Sequence, residues 1–389
     1  MKKRTLVFIS FVAVCAFLLL SANGQAQSAT AGKAATHAAV ARAHAGEYAV
    51  LTLVEAHDTP VMTRESPGAE GNKYGFEGGT VVKVGDTYHM TPTEVVGDPQ
   101  AVKTRMAHWT SKDRIHWTRV STLYESSGAH DGTDPRASLW APMPVYDAAG
   151  ERWNLFYVAY NSLPDTPTVW WGNFDGQIWR AVSQVKGRAG IGGPYKDVGV
   201  ILKPDAESEP WEGLQGTDSI YPYRVGDGWY GFYGSANTEK LPIEHWRVGL
   251  AKANSLAGPW KRVPELNPVQ LETIFAENPI VTRAADGTYL AVYARSTVPT
   301  ADNPTTLGYS VSRDGIHWSK GVGVDLQPTA NVRWASRINT PLGLIAEGND
   351  TFTLFYTGFV DKPFYENVGL VTLKLSYSKS APVSSAGKK

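Results

Sequence analysis

Between residues 76 and 376 one pattern is written five times. Each copy has a polar or acidic start and a short apolar run, then a turn bearing Gly, Asp or Asn, then an aromatic-rich run. The copies are "FEGGTVVKVGDTYHM" from Phe76, "WAPMPVYDAAGERWNLFYVAY" from Trp140, "TDSIYPYRVGDGWYGFYGS" from Thr217, "AENPIVTRAADGTYLAVYARS" from Ala276 and "NTPLGLIAEGNDTFTLFYTGF" from Asn339. Turn pairs between strand-like runs, such as Gly85-Asp86, Asp227-Gly228 and Asn349-Asp350, are strong local signals for β-hairpins. A third strand-like run follows: "RMAHWTS", "IWRAVSQ", "WRVGLAKA", "TLGYSVS" and "NVGLVTLKLSY".

Two phrases give the repeat its register. "SKDRIHW" at 111–117 and "SRDGIHW" at 312–318 lie 201 residues apart, three repeats of about 67 residues. The third copy fills the same slot with "ANSLAGPWKRV" and keeps Trp260. His116, Trp117, His317 and Trp318 therefore read as parts of an outer turn, with Asp and Gly making the bend and Trp covering a sheet edge. Five units of about four short strands, with almost no helical period, predict an all-β chain. The expected fold is a five-bladed β-propeller in a single domain over residues 48–380. "YAVLTLVE" at 48–55 is placed to complete the last blade beside the C-terminal strand.

Composition narrows the partner. Lys+Arg and Asp+Glu balance at 37 each, so the chain lacks the electrostatic footprint for nucleic acid or an anionic membrane. An uncharged small molecule or glycan is the easier partner. Lys2, Lys3 and Arg4 precede the apolar run "TLVFISFVAVCAFLLL", with Gly24 and Ala26 suited to cleavage, so residues 1–26 read as a signal peptide. Residues 27–47 read as an Ala-rich linker and 381–389 as a disordered tail. The expected location is the bacterial periplasm or beyond, with no membrane attachment after cleavage. The one cysteine, Cys15, lies in the signal, leaving the mature chain without disulfide or thiol nucleophile. No Walker loop, CxxC, HExxH or GxSxG is present; no cofactor and no metal ligand is assigned, and neither a central metal ion nor the oligomeric state is decided by the sequence.

In a propeller the first strand of each blade lines the central channel, and its mouth is a concave pocket. Counting nine back from the turn residue of each copy gives Glu77, Ala141 (beside Trp140), Asp218, Glu277 and Thr340. Three of these five inward starts are carboxylates, where unpaired charge is costly. Facing carboxylates are what glycoside hydrolysis requires. One must hold a proton for the leaving oxygen, another must be ionised to activate water or attack carbon, and a third tunes the first by like-charge repulsion.

At this point the chain resembles, as a divergent member, the five-bladed catalytic propellers of glycoside hydrolase families 43, 32 and 117. "LWAPMPVYD" resembles the opening of blade two in family 43, "TDSIYPY" its blade-three aspartate strand, and "AENPIV" its general-acid strand. The resemblance implies an O-glycosyl hydrolase in which Glu277 is the general acid, Asp218 the pKa tuner and Glu77 the base. Blade one departs, with "FEGG" in place of an Asp-Pro motif. All nine histidines precede residue 318, so a blade-five histidine found in many family 43 members is missing.

Further residues are candidates for contact with an oligosaccharide. Trp140 opens blade two. Asp134, in "GAHDGTDPRASLW", reaches the pocket mouth or serves only its turn. Trp170, Trp171, His245 and Trp246 lie in blade insertions, where they either stack on sugar or fill gaps between blades; Trp171 and His245 are the candidates for sugar contact. Arg295 and Arg337 flank channel strands and could bind sugar hydroxyls. Two other readings stay open: a non-catalytic glycan-binding propeller, and a phosphorylase of the family 130 type, which needs basic residues at the pocket.

Overall fold

A computed structural model of the protein describes residues 46–296, 305–326, 334–360 and 366–381. The expected signal peptide lies outside them, as do the linker except for residues 46 and 47 and the tail except for residue 381. Residues from Tyr48 onward form one compact unit.

Twenty strands among the described residues build five four-stranded antiparallel sheets, each a blade. Blade one is β2 (Gly75–Val84), β3 (Thr87–Val95), β4 (Thr104–Ser111) and β5 (Thr118–Glu125). Blade two is β6 (Ser138–Asp147), β7 (Arg152–Asn161), β8 (Phe174–Ser183) and β9 (Tyr195–Leu202). Blade three is β10 (Asp218–Val225), β11 (Gly228–Ala236), β12 (Trp246–Ala253) and β13 (Lys261–Arg262). Blade four is β14 (Ala276–Arg283), β15 (Tyr289–Arg295), β16 (Thr306–Ser312) and β17 (Val322–Gly323). Blade five takes β18 (Arg337–Gly348), β19 (Thr351–Phe359) and β20 (Asn367–Ser378), and is completed by β1 (Tyr48–Ala56) on its outer edge. β1 and β20 pair antiparallel, from Tyr48 opposite Ser378 to Ala56 opposite Val371, so the two ends of the described chain close the ring within one sheet. The fold is a five-bladed β-propeller.

The core sits between blades, which explains the apolar runs in the inner strands. Met106 of blade one packs with Leu139, Leu155 and Tyr157 of blade two, and Phe156 of blade two packs with Ile220 and Tyr233 of blade three. Phe232 packs with Val281 and Tyr293, Leu290 with Leu354, and Phe355 with Met90 and Trp109, which completes the circuit. A strand such as β7 ("RWNLFYVAYN") is covered on both faces and carries no polar alternation between its ends, while edge strand β5 ("TRVSTLYE") alternates and leaves Val120 exposed.

The repeated Ile-His-Trp phrase is an outer turn in both copies. Asp113 Oδ1 accepts from the backbone N–H groups of Ile115 (2.9 Å) and His116 (2.8 Å), and its Oδ2 lies 2.7 Å from His116 Nδ1. Asp314 does the same with Ile316, His317 and the His317 ring, at 2.8, 2.8 and 2.7 Å. Each Trp then reaches into the neighbouring blade: Trp117 packs edge-on against Phe355, and Trp318 against Tyr223 and Phe232.

Candidate active site

The first strands β2, β6, β10, β14 and β18 stand beside one another around the axis. Each has a break in register near its start: between Glu77 and Gly79, Trp140 and Met143, Asp218 and Ile220, Glu277 and Ile280, and Ile338 and Pro341. A bulge gives one strand an extra residue and re-aims a side chain, and here it does so at the channel end of all five blades. Gly78, Ala141 and Asn278 take positive φ of 58°, 50° and 51°. The "GG" after Glu77 has its own reason: at φ 118° a side chain on Gly79 would begin 2.0 Å from the Thr91 carbonyl oxygen.

The bulges bring Glu77, Trp140, Asp218, Glu277 and Asn339 onto the walls of two adjoining hollows, of about 440 Å³ and about 130 Å³. Aromatic wall is supplied by Tyr74, Trp140, Trp170, Trp246 and Phe275. Among the described residues no lysine or arginine lines either hollow. Counting back from the turns chose Ala141 and Thr340 in blades two and five; Ala141 lines the smaller hollow beside Trp140, whereas in blade five Asn339 lines the larger one and Thr340 lines neither. β18 has three register shifts, so the fixed count slips by one in blade five.

Three acids from blades one, three and four thus share a cavity, and their hydrogen bonds are graded. Asp218 has two direct donors: the Tyr160 hydroxyl at 2.6 Å and the Ser219 backbone N–H at 2.7 Å, both on Oδ1. Burial raises its pKa, and these donors pull it back. Glu77 is pushed up to about 7 by burial, with the Asn339 amide opposing and the Asp218 charge adding to the rise. Among the described residues Glu277 has no opposing donor. Burial, then the charges of Asp218 and Glu77, hold it well above the usual carboxylate range. The site therefore offers acids with different proton affinities, as acid/base chemistry on one substrate requires.

Sequence reasoning missed a fourth acid. Glu366, just ahead of β20, is 2% exposed and lines the larger hollow. Asn339 Nδ2 donates to its Oε1 at 2.6 Å. Burial and the Glu77 charge raise it well above the ordinary value, against the Asn339 amide. Its signal was hidden because only first strands were searched for inward acids, and Glu366 precedes a third strand.

Of the nine expected site residues, Glu77, Asp218, Glu277 and Trp140 line the hollows and five do not. Trp171 packs edge-on against Phe174, and its neighbour Trp170 faces the cavity. The His245 ring Nε2 lies 3.3 Å from the Trp211 carbonyl oxygen, and its neighbour Trp246 faces the cavity. In each pair the adjacent tryptophan is the one that lines the hollow, as alternation in extended chain allows. Asp134 holds its own turn, accepting from the Arg136 N–H at 2.8 Å. Arg295 pairs with Glu272 at 2.8 Å, where Tyr293 also donates. Arg337 opens β18 opposite Phe359 and does not reach the cavity wall.

No family model and no curated protein matches the sequence. Solved structures do match by shape. BT0996, in an RGII complex, aligns at TM-score 0.63 and 15% identity, over 87% of this protein and 95% of that one. A protein described as a glycoside hydrolase aligns at 0.57 and 15%, over 90% and 97%. Zg3597, a family 117 glycoside hydrolase produced by the marine bacterium Zobellia galactanivorans, aligns at 0.52 and 14%, over 85% and 90%. This protein shares its propeller fold with those structures.

Proposed function

We propose that the protein is an exported glycoside hydrolase that cleaves a glycosidic bond of a plant or algal oligosaccharide in the central propeller cavity. The observation that carries this reading is the gradation in hydrogen-bond donors among three acids around one aromatic-walled hollow. Glu277, with no opposing donor among the described residues and two charged neighbours, keeps its proton and gives it to the leaving oxygen. Asp218, held by Tyr160 and Ser219, is ionised first and sustains the proton on Glu277. Glu77, near 7, is the base that activates water or the carboxylate that attacks carbon. The indole faces of Trp140, Trp170 and Trp246 suit the C–H faces of a sugar. A phosphorylase would need cations for phosphate, which the described lining lacks, and a binding module has no use for graded acids. The basic start and apolar run at the N-terminus support export, and the shared fold supports a glycan substrate.

The test is release of sugar from aryl glycosides and from plant and algal oligosaccharides by the mature chain. Turnover that saturates and depends on pH near neutrality is the expected result. Binding of glycans without turnover on any of them contradicts it and favours a recognition module.

A further inference from the structure

We propose that Glu366 is a substrate-reading residue, whose free Oε2 hydrogen-bonds one hydroxyl of the sugar seated against Glu77 and Glu277. The inference rests on the reading of the cavity as a glycan site. It starts from an imbalance within one carboxyl group. Oε1 accepts from Asn339 at 2.6 Å, whereas Oε2 is buried and has no partner among the described residues. A polar atom removed from water without a partner costs free energy, so such atoms are rare in folded chains unless something else completes them. Glu366 lines the larger hollow, and what enters there can complete it.

The surrounding backbone is built to hold this residue in place. The Glu366 N–H donates to the Tyr74 carbonyl at 2.9 Å, and its own carbonyl accepts from the Phe76 N–H at 3.2 Å. Between those two contacts stands Gly75, at φ 104°, where any side chain would begin 1.9 Å from the Glu366 carbonyl oxygen. Glycine is required there so that Glu366 can lie flush against the strand that carries Glu77 one residue beyond Phe76. Burial and the Glu77 charge raise the Glu366 pKa well above its ordinary value. With Oε1 accepting from Asn339, the remaining oxygen is left to a sugar hydroxyl, which can both donate and accept a hydrogen bond.

The experiment compares wild type, Glu366→Gln and Glu366→Leu on a turned-over aryl glycoside and its monodeoxy analogues, with calorimetric binding of the same sugars and thermal melts as folding controls. Wild type should lose about ten- to a hundredfold in kcat/KM on one analogue, the range for a buried polar group left unpaired. Glu366→Leu should lose as much on the parent sugar and no longer distinguish that analogue. Glu366→Gln, which retains a hydrogen-bonding group, should keep most of the activity and the discrimination. Equal handling of all analogues by wild type overturns the proposal even if Glu366→Leu fails to fold, as does wild-type discrimination surviving in Glu366→Leu. Binding with the deoxy pattern but no turnover removes the hydrolase reading and leaves Glu366 in its role. Neither binding nor turnover removes both.

Discussion

Replacing Glu77 with Gln removes a titrating group and keeps its shape, so it isolates what the buried charge does to the fold. The pKa of Glu77 rises from 4.5 to about 7 on folding, chiefly through burial. The folded state thus holds this proton more tightly than the unfolded chain does. Stability contributed by that proton is present below about 4.5 and is lost as pH rises through about 7. Each unit corresponds to about 1.4 kcal/mol, so ionisation of Glu77 destabilises the fold by about 3 kcal/mol at pH 8. Coupling to Asp218 spreads part of this between the two groups. Urea unfolding of wild type and Glu77→Gln at pH 4 and pH 8 measures the difference. The variant should gain about 2–3 kcal/mol at pH 8 and little at pH 4, where both proteins are uncharged at this position. A gain of the same size at both pH values, or none at pH 8, refutes the claim that Glu77 is ionised against its environment.

Two other consequences follow from named contacts. Tyr160→Phe deletes the 2.6 Å donor to Asp218, a charge-assisted bond of about 1.5–3 kcal/mol, and should raise the Asp218 proton affinity. Sugar release near neutral pH should then fall about ten- to a hundredfold and its acid limb move to higher pH; an unchanged pH profile counts against Asp218 as the ionised tuner. Trp117→Ala should cost about 3–5 kcal/mol by emptying the contact with Phe355, while His116→Ala, at an exposed turn, should stay within about 0.5 kcal/mol and leave activity intact. Loss of activity in folded His116→Ala would give the repeated phrase a functional role after all.

The fold was legible because a propeller repeats its instructions. Turn pairs, paired apolar runs and the two Asp-x-Ile-His-Trp turns recur in register, and the inter-blade core demands inner strands that are apolar on both faces. The three acids were legible because their strand starts sit at one offset from the turn. That offset failed at Thr340, because the bulges of β18 insert residues that no periodicity announces. Trp170 and Trp246, the neighbours of Trp171 and His245, line the cavity: at and beyond a strand's end nothing in the sequence fixes which of two adjacent side chains faces inward. Glu366 was invisible for another reason. It reaches the cavity through pairing of residues 75 and 366, far apart in sequence, and its environment exists only once the ring has closed.

The central claim is that Glu277 gives a proton to the leaving group, and the dependence of Glu277→Gln on leaving-group acidity tests it most directly. Wild type and variant are compared on the natural oligosaccharide and on a dinitrophenyl glycoside of the same sugar, whose leaving group departs without protonation. The account predicts that the variant loses about a hundred- to ten-thousandfold on the oligosaccharide and far less on the dinitrophenyl substrate. Equal losses on both, or full activity on the oligosaccharide, would contradict it.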